Sequence, residues 1–498
     1  MNWPLIIQGG MGAGVSNWRL AQAVSSTGEL GVVSGVALEV ILSRRLQDGD
    51  LDGQMRWALE HFPFPEMAKR VLDQHFIPGG KAADAPYKLV PMHSMKSPRS
   101  LVELTICGHF AEVWLARQGH TNPVGINFLE KIQLVHLYAM YGAMLAGVDY
   151  VLMGAGIPLK VPGVLDALAR HEPASYPINV AGALDGDDTL VHFDPREYME
   201  RELPPLSRPK FLAIIASNTL ATTMMRKANG RVDGFVIEGP TAGGHNAPPR
   251  GKLQMDETGE PIYGERDAVD LEKMREMGVP FWLAGGYGSP EMVQQALKQG
   301  AVGVQVGTAF ALCKESGIAP ELRQELLKIA QSGLAHVKTD MLASPTGFPF
   351  KVAQLEDSLS HEEVYAARER ICDVGQLREA YRTDDGKIAF RCAAEPLNVY
   401  LAKGGKAEAA EGRKCLCNSL LSNIGLCQVR KNGYRERAML TMGNDVTGVV
   451  RFAPRGEDYC AADVINVLRS GTKIVSYSDE GVSFQLAAED SAGSVLSA

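Results

Sequence analysis

Eight short apolar runs, each followed by a helical pattern, are the feature that most constrains the fold of this chain. Their hydrophobicity is continuous rather than alternating, which is typical of strands buried on both faces of a parallel sheet. Eight such units ending near residue 317 predict an α/β fold of the (β/α)8 TIM-barrel type. A doubly wound open sheet is the competing α/β arrangement, because periodicity alone does not exclude it. The runs span 4–8, 30–35, 123–128, 149–154, 211–217, 232–239, 280–286 and 303–307.

The uneven spacing of these runs predicts insertions and a second region. The gap between the second and third runs is too long for one crossover helix, and its amphipathic patterns predict a helical insertion over 36–118. The barrel is therefore assigned to residues 1–35 and 119–317. Mostly helical patterns then predict a C-terminal helical region over 318–471. A stretch rich in Ser, Ala, Gly and acidic residues predicts a flexible tail over 472–498.

Composition and charge narrow the function classes. The chain is 45% hydrophobic and 22% charged, which is typical of a soluble globular protein. A net charge of −8 without a long run of Lys and Arg argues against a nucleic-acid partner, and no apolar run is long enough to span a membrane. The N-terminus lacks the features of a signal peptide, and the eight cysteines are typical of reduced intracellular thiols. We therefore expect a cytoplasmic protein that acts on a small molecule.

Glycine-rich segments follow the first, seventh and eighth runs. In IIQGGMGAGVS (6–16) the glycines let the backbone pass close to a flat ligand, although the spacing is no clean dinucleotide fingerprint and a tight βα turn is an equal alternative. LAGGYGSPEMVQQAL (283–297) and VGVQVGTAF (302–310) each end a strand in glycine and then begin a helix, with Ser289 and Pro290 as a predicted N-cap and first helical residue. Loops at these two positions of a barrel commonly bind phosphate.

VIEGPTAGGHNAPPRG (236–251) places His245 at the end of the sixth run. Gly243 and Gly244 let the loop approach a ligand, and the two prolines that follow stiffen its exit. An imidazole with its ordinary pKa of about 6.5 moves a proton near neutrality or donates a hydrogen bond to a developing anion. A loop histidine bonded to a neighbouring carbonyl is the structural alternative. Because glycine loops from three other strand ends lie on the same face, we interpret His245 as an active-site residue.

Other polar residues at strand ends permit a structural as well as a functional interpretation. Asn127 is placed to bond a flavin ring or a substrate. Ser217 and Asn218 are more typical of a helix cap. Glu238, just inside the sixth strand, is placed to support the loop that follows it.

Cysteines near the C-terminus were tested as metal ligands. The C-x-C spacing of Cys415 and Cys417, and the wide gap between this pair and Cys392, do not match common zinc or iron–sulfur patterns. We therefore expect buried free thiols and no metal at the four cysteines of this segment, Cys392, Cys415, Cys417 and Cys427.

Five segments together resemble the nitronate monooxygenase family, formerly called 2-nitropropane dioxygenase: PLIIQGGMGAGVS, LAQAVSSTGELGVVSG, EGPTAGGHNAPP, LAGGYGSPEMVQQALKQGAVGVQVGTAF and SPTGFPFKV. The resemblance implies an FMN-binding (β/α)8 barrel in which His245 occupies the position of the active-site histidine. It also implies contacts to the isoalloxazine ring, to the cofactor in general and to its phosphate. The ring contacts are Gln8, Gly10, Met11, Gly12 and Asn127, the general contacts are Gly243 and Gly244, and the phosphate contacts are Gly285, Gly286, Gly307 and Thr308.

The inserts and the C-terminal segments CDVGQLREAYR and CLCNSLLSNIGL depart from the compact family pattern. In these the chain is similar to the trans-acting FMN-dependent enoyl reductases of polyketide and polyunsaturated fatty-acid synthesis, which share the barrel, the flavin and the AGGH element. The resemblance therefore implies two reactions. One is the oxidation of alkyl nitronates with O₂ to carbonyl compounds and nitrite. The other is the NAD(P)H-dependent reduction of an enoyl thioester, with an acyl carrier protein as partner. A flavin-binding protein without turnover is a third interpretation, against which His245 and the glycine loops speak.

Overall fold

The computed structural model describes residues 3–453, 458–470, 475–478 and 481–484. Its strands are β1 (Ile6–Gln8), β2 (Gly31–Ser34), β3 (Val124–Leu129), β4 (Tyr150–Gly154), β5 (Ala174–Pro177), β6 (Val180–Ala181), β7 (Leu190–Phe193), β8 (Lys210–Ile215), β9 (Gly234–Glu238), β10 (Gly244–His245), β11 (Phe281–Ala284), β12 (Gly303–Val306), β13 (Val337–Asp340), β14 (Phe350–Ala353), β15 (Glu379–Arg382), β16 (Ile388–Arg391), β17 (Val475–Ser478) and β18 (Gly481–Phe484).

The α-helices alternate with the strands in the first two thirds of the chain. They are α1 (Trp18–Ser26), α2 (Leu38–Gln47), α3 (Gln54–Glu60), α4 (Pro65–His75), α5 (Arg99–Ala116), α6 (His136–Leu145), α7 (Val161–Ala169), α8 (Asn218–Lys227), α9 (Leu271–Glu276), α10 (Pro290–Lys298), α11 (Thr308–Ala311), α12 (Pro320–Gln331), α13 (Glu362–Ala366), α14 (Leu397–Ala402), α15 (Ala407–Ala410), α16 (Leu416–Ser422) and α17 (Ala461–Arg469). Short 3-10 helices lie at Gln133–Val135, Pro195–Glu197, Glu265–Asp267 and Asn444–Phe452.

Eight strands form one closed parallel barrel. Their order around the sheet is β1-β12-β11-β9-β8-β4-β3-β2, and every neighbouring pair is parallel. The circle closes where the Gln8 N–H donates to the Leu30 carbonyl at 2.9 Å and the Leu30 N–H donates to the Ile6 carbonyl at 3.1 Å. The predicted (β/α)8 barrel is therefore confirmed. An open doubly wound sheet would instead leave two unpaired edges.

The interior of the barrel is filled by apolar side chains from alternate strand positions. Trp282 and Val236 belong to this buried cluster, together with Leu152 and Leu212. The Trp282 indole N–H donates to the Pro4 carbonyl at 2.8 Å, which satisfies its polar atom at the bottom of the barrel. Because successive side chains of a strand face opposite sides, residues two positions beyond this layer also face inward, at the carboxyl end of the barrel.

Polar side chains start the crossover helices as the sequence predicts. Ser217 begins α8 by accepting from the Leu220 N–H at 3.1 Å. Ser289 begins α10, with Pro290 as the first helical residue. These caps satisfy backbone N–H groups that have no partner inside the helix, so both helices begin directly after a barrel strand and its short loop.

Helices α2, α3, α4 and α5 lie in the segment predicted as a helical insertion. α5 is buried on nearly every face and packs against α1, α2 and α6, which explains why it is apolar all round. Farther along the chain, β5 and β7 pair antiparallel and form an additional hairpin between β4 and β8.

Residues 318–470 contain short helices and also small antiparallel sheets, which the helical pattern of the sequence did not indicate. β13 and β14 join β10, so this region is hydrogen-bonded to the loop that carries His245. Of the predicted tail, 472–498, the described part is the β17–β18 hairpin, and the remainder lies outside the described residues. Within the residues described, no helix combines the length and apolarity needed to cross a membrane.

Candidate active site

A large cavity opens at the carboxyl ends of the eight barrel strands. It has about 1610 Å³ of space, including a mouth that is open to solvent. In (β/α)8 barrels this face carries the chemistry, because loops from all eight strands converge there. Each barrel strand, or the residue directly after it, contributes to the lining through Gly9, Ser34, Asn127, Gly154, Ile214, Glu238, Ala284 and Val306.

All but one of the site residues expected from the sequence line this single cavity. They come from loops spread over some three hundred residues of sequence, and closure of the barrel brings them together. The expected residues found in the lining are Gly10, Met11, Gly12, Asn127, Gly243, Gly244, His245, Gly285, Gly286, Gly307 and Thr308.

Gln8 is the expected residue that the structure places elsewhere. Its side chain is fully buried and lies at the seam between β1 and β2. There its carbonyl oxygen accepts from the Val32 N–H at 3.0 Å, and its amide donates to Ser16 Oγ at 2.8 Å. The side chain therefore adds hydrogen bonds at the seam between β1 and β2. It also supports the glycine loop that follows β1.

Gly10 allows Asn127 to enter the cavity. A Cβ atom on Gly10 would lie 2.4 Å from the Cβ of Asn127, a distance that no side chain tolerates. Asn127 is 8% exposed, and its amide lies 3.5 Å from the Gly10 carbonyl. The glycine is thus required by close packing inside the site rather than by its backbone angles alone.

The four residues expected to hold a phosphate lie on adjacent strands. Gly285 and Gly286 follow β11 with φ angles of +91° and +81°, which favour glycine. Gly307 and Thr308 follow β12, its neighbour in the sheet. Thr308 Oγ1 accepts from the Gly443 N–H at 3.0 Å, so the C-terminal region is fixed to this side of the cavity.

His245 is held by a segment about one hundred residues farther along the chain. β10 pairs with β14 so that His245 lies opposite Phe350, and the two rings contact edge to face with centroids 4.9 Å apart. The imidazole Nε2 lies 2.7 Å from Ser344 Oγ and 3.5 Å from Thr346 Oγ1. The sequence assigned no role to these residues, although they belong to SPTGFPFKV, one of the segments that carries the family resemblance.

The ring of His245 is neutral in this environment. Burial lowers its pKa from 6.5 to about 3, and the positive charge of Lys131 acts in the same direction. The pKa therefore lies below the ordinary value of about 6.5 expected from the sequence, because burial removes water from the imidazole. A neutral imidazole donates one N–H hydrogen bond but holds no acidic proton near pH 7.

Glu238 is a second titratable group in the cavity. Burial raises the pKa of its carboxyl from 4.5 to about 7, and Lys131 opposes the shift. Burial also lowers the pKa of Lys131 to about 8, against the effect of Glu130 and Glu238. The Lys131 Nζ lies 3.4 Å from the centroid of the Phe348 ring, a cation–π contact. The cavity therefore contains a carboxyl whose pKa lies near neutrality, and an amine with a lowered pKa lies nearby without lining the cavity.

The C-terminal region forms much of the cavity wall, which the sequence did not predict. The Gly244 N–H donates to Thr441 Oγ1 at 2.9 Å, and a Cβ on Gly243 would lie 2.9 Å from the Gly443 nitrogen. This wall is mostly apolar. It consists of Phe350, Val374, Gln376, Leu377, Leu416, Cys417, Leu420, Thr441, Met442, Gly443, Asp445, Val449 and Phe452.

Gln305 provides a test of whether the cavity fits a flavin. Gln305 lines the cavity, and its side-chain oxygen Oε1 is buried without a hydrogen-bond partner among the described residues. A buried acceptor left unpaired costs about 1–3 kcal/mol, so this atom marks a place for a donor on a bound molecule. A flavin ring carries N–H and C=O groups on one edge and is flat enough to lie on the glycine loop after β1. The residues present therefore fit FMN.

The cysteines of the C-terminal region are free thiols. Cys392 and Cys415 pack together in a small buried cluster, and burial raises the pKa of Cys392 to about 12. Cys417 lines the main cavity. In the part of the chain that the structure describes, no three His, Cys, Asp or Glu side chains are arranged to hold a metal ion.

Comparison with known proteins agrees with the resemblance noted from the sequence. The model of the nitronate monooxygenase family matches residues 197–344, a segment that includes β8 to β12, His245 and Ser344. A probable nitronate monooxygenase of Bacillus subtilis (strain 168) is 32% identical over 133 residues, which are 26% of this chain and 36% of that protein. The match thus spans about a third of the relative's length. Over this segment the resemblance to the nitronate monooxygenase family is confirmed.

Three of the solved structures that match the chain are of low sequence identity but cover most of its length. FabK from Thermotoga maritima superposes with a TM-score of 0.45 at 16% identity, covering 93% of this chain and 91% of its own. Nitroalkane oxidase from Streptomyces ansochromogenes gives 0.44 at 15% identity, covering 94% and 96%. The enoyl reductase domain of MlnA from Bacillus amyloliquefaciens gives 0.42 at 11% identity, covering 94% and 95%.

Proposed function

We propose that this chain is an FMN-dependent oxidoreductase of the nitronate monooxygenase type and that the barrel-mouth cavity is its active site. The observation that carries the proposal is the convergence of Asn127, His245 and the glycine loops after β1, β11 and β12 on one cavity. The family match supports it, because residues 197–344 supply His245 and the loops after β11 and β12.

The chain offers a distinct set of groups to each part of the cofactor. The loop with Gly10, Met11 and Gly12 would lie along the isoalloxazine ring, with Asn127 near its edge. The backbone of the loops after β11 and β12, at Gly285, Gly286, Gly307 and Thr308, would bind the phosphate. FMN, when bound, supplies two-electron chemistry, and the protein supplies orientation and electrostatics.

His245 acts in this proposal as a fixed hydrogen-bond donor. Ser344 and Phe350 set the direction of the imidazole, and its low pKa keeps it neutral. A neutral N–H donor aimed at a nitro or thioester oxygen stabilises the negative charge that develops there, and it costs no reorganisation during the reaction. The mostly apolar wall of the C-terminal region offers few competing hydrogen-bonding groups to the same space, which favours that interaction.

The first candidate reaction is the oxidation of an alkyl nitronate with O₂ to a carbonyl compound and nitrite. The family match is the support for this reaction. Its substrate is small, and its charged group would lie against His245.

The second candidate reaction is the NAD(P)H-dependent reduction of an enoyl thioester, with delivery in trans by an acyl carrier protein. One observation favours it: a large share of the cavity wall comes from residues 374–452, beyond the segment 197–344 that the family model matches. A longer apolar wall suits an acyl chain better than it suits a small nitronate.

Anaerobic reduction of the purified protein tests both reactions. We expect a yellow protein whose flavin absorbance is bleached either by a nitronate, such as the anion of 2-nitropropane, or by NADPH. Bleaching by NADPH alone selects the enoyl reductase, and bleaching by the nitronate alone selects the oxidase. His245→Gln should slow the step at least tenfold, whereas His192→Gln, at an exposed site, should not. A protein that cannot be reconstituted with FMN would exclude both reactions.

A further inference from the structure

Glu238 faces the cavity because of its register in the barrel. It is the last residue of β9, two positions after Val236, which belongs to the buried layer inside the barrel. Side chains two positions apart lie on the same side of a strand, so the Glu238 carboxyl points inward, just above the apolar layer. It lines the same cavity as His245.

The carboxyl of Glu238 has no protein partner there. It accepts no hydrogen bond and forms no ion pair with any described residue. The flanking barrel strands contribute apolar groups to the lining, Ile214 from β8 and Ala284 from β11. The charged group that acts on it comes from the loop after β3, and it is Lys131. Leaving a half-buried carboxyl unpaired is costly unless a ligand or a reaction uses it.

The other titratable groups of the cavity are unsuited to proton exchange near neutrality. His245 is bound to Ser344 and stays neutral. Asp445 forms an ion pair with Arg451 at 2.9 Å. Burial raises the pKa of both Tyr287 and Cys417 above their ordinary values. Among the described lining residues, Glu238 is then the carboxyl that has neither a hydrogen bond nor an ion pair, and burial raises its pKa toward neutrality.

We propose that Glu238 is the catalytic acid–base residue of this site and exchanges a proton with the substrate carbon next to the nitro or carbonyl group. The proposal rests on the proposed oxidoreductase function and adds to it, because it assigns His245 to hydrogen bonding and Glu238 to proton transfer. It also widens the substrate class to molecules with an acidic C–H bond beside the activating group.

The step balances in either direction. In oxidation, a neutral nitroalkane loses the proton of its C–H bond to the Glu238 carboxylate, and the electron pair stays on the substrate as the nitronate. In reduction, FMN, when bound, would supply the hydride that adds to the carbon distal to the thioester. The electron pair of the resulting enolate then forms the new C–H bond with the proton of the Glu238 carboxyl. The carboxyl exchanges its proton with water at the open mouth of the cavity.

Two substrates separate proton transfer from electron transfer. A preformed nitronate has already lost its proton, whereas the neutral nitroalkane has not. We expect Glu238→Gln to retain the oxidation of a preformed nitronate within about threefold and to lose at least a hundredfold with the neutral nitroalkane. Equal loss on both substrates would overturn the assignment, and so would an unchanged rate on the neutral one.

For an enoyl reductase the matching measurement is exchange of the proton next to the carbonyl of a saturated acyl thioester. The oxidised protein is incubated with the thioester in D₂O without reductant, and loss of the proton signal is followed by ¹H NMR. Wild type should exchange this proton faster than buffer, Glu238→Gln should not, and Glu238→Asp should retain part of the rate. Exchange that persists in Glu238→Gln would overturn the proposal.

Glu39→Gln is the matched control. Glu39 is also buried with a pKa raised to about 7, yet it lies outside the cavity lining. Its variant should behave as wild type in both assays. Infrared titration of the protein without flavin gives a readout that is independent of turnover. Of two carboxyl signals that titrate near pH 7, Glu39→Gln should remove one and Glu238→Gln should remove the other, the Glu238 signal. If that signal is present and the protein binds no FMN, the proposed function fails while the assignment of the ionisable group stands. If the protein is bleached by substrate but the signal is absent, the assignment of Glu238 fails alone.

Discussion

His245 Nε2 lies 2.7 Å from Ser344 Oγ, across 99 positions of the sequence. This bond fixes the imidazole in a cavity where no other hydrogen bond to the ring is shorter than 3.5 Å among the described residues. Ser344→Ala should therefore reduce kcat/KM about tenfold, because loss of one hydrogen bond costs about 1–1.5 kcal/mol of orientation. Steady-state rates check this, with the exposed Ser332→Ala as control. An unchanged rate would mean that Phe350 alone positions the ring.

Lys131 shifts the pKa of two titratable groups that line the cavity. It lowers the pKa of Glu238 and that of His245. Lys131→Met should therefore shift the pH dependence of proton exchange to higher pH by roughly one unit, while the neutral ring of His245 stays neutral. Proton exchange that needs the Glu238 carboxylate becomes faster as the pH rises through the pKa of Glu238, and exchange that needs the protonated carboxyl becomes slower. Because the substitution raises this pKa, both parts of the pH profile should move to higher pH. Exposed Lys328→Met should leave the profile in place, and a shift to lower pH would contradict the assignment.

Glu39 makes the stability of the fold depend on pH. Its carboxyl is 2% exposed, one of its oxygens has no described partner, and burial raises its pKa from 4.5 to about 7. A raised carboxyl pKa stabilises the folded state below pH 4.5, and this contribution is lost as the pH rises through about 7. The loss amounts to about 3 kcal/mol. Glu39→Gln should therefore gain about that free energy of unfolding relative to wild type between pH 4 and pH 8, as measured by urea denaturation. A pH-independent difference would contradict this account.

Two neighbouring glycines give a matched test of the cofactor loop. A Cβ on Gly10 would lie 2.4 Å from the Asn127 Cβ, whereas one on Gly9 would lie 3.5 Å from the nearest atom of Gln305. Gly10→Ala should weaken FMN binding at least tenfold, because Asn127 must leave its place, and should cost about 1–3 kcal/mol of stability. Gly9→Ala should change both quantities little. Similar behaviour of the two variants would show that Asn127 does not shape the flavin site.

The barrel strands were predictable from the sequence because a parallel sheet buried on both faces requires continuous apolar runs. The run over 232–239 became β9 (Gly234–Glu238), and its end then placed His245 at the barrel mouth. The contact of Gln8 with the isoalloxazine ring stays a prediction, but the direction of its side chain was not predictable, since the resemblance gives only a position in the loop. Its direction depends on the seam that closes the barrel.

The C-terminal wall of the cavity and the protonation of its side chains could not be predicted from the sequence, for different reasons. Thr441 and Gly443 contact the loop of Gly243 and Gly244 although they lie about two hundred positions later in the sequence. No local sequence pattern predicts such a contact. The pKa of His245 depends on how deeply Phe350 and its neighbours bury the ring, which only the packed structure defines. The role proposed for Glu238 depends on its carboxyl having no hydrogen bond or ion pair with a described residue. Only the folded structure shows which groups surround that carboxyl.

Titration of the flavin-free protein with FMN measures whether the barrel-mouth cavity binds this cofactor. Quenching of flavin fluorescence should saturate at one FMN per chain. Gly10→Ala should weaken this binding, whereas Glu238→Gln should not, because the proposed task of Glu238 is proton transfer to the substrate. Fluorescence that shows no saturable quenching, or binding that Gly10→Ala leaves unchanged, would contradict the account.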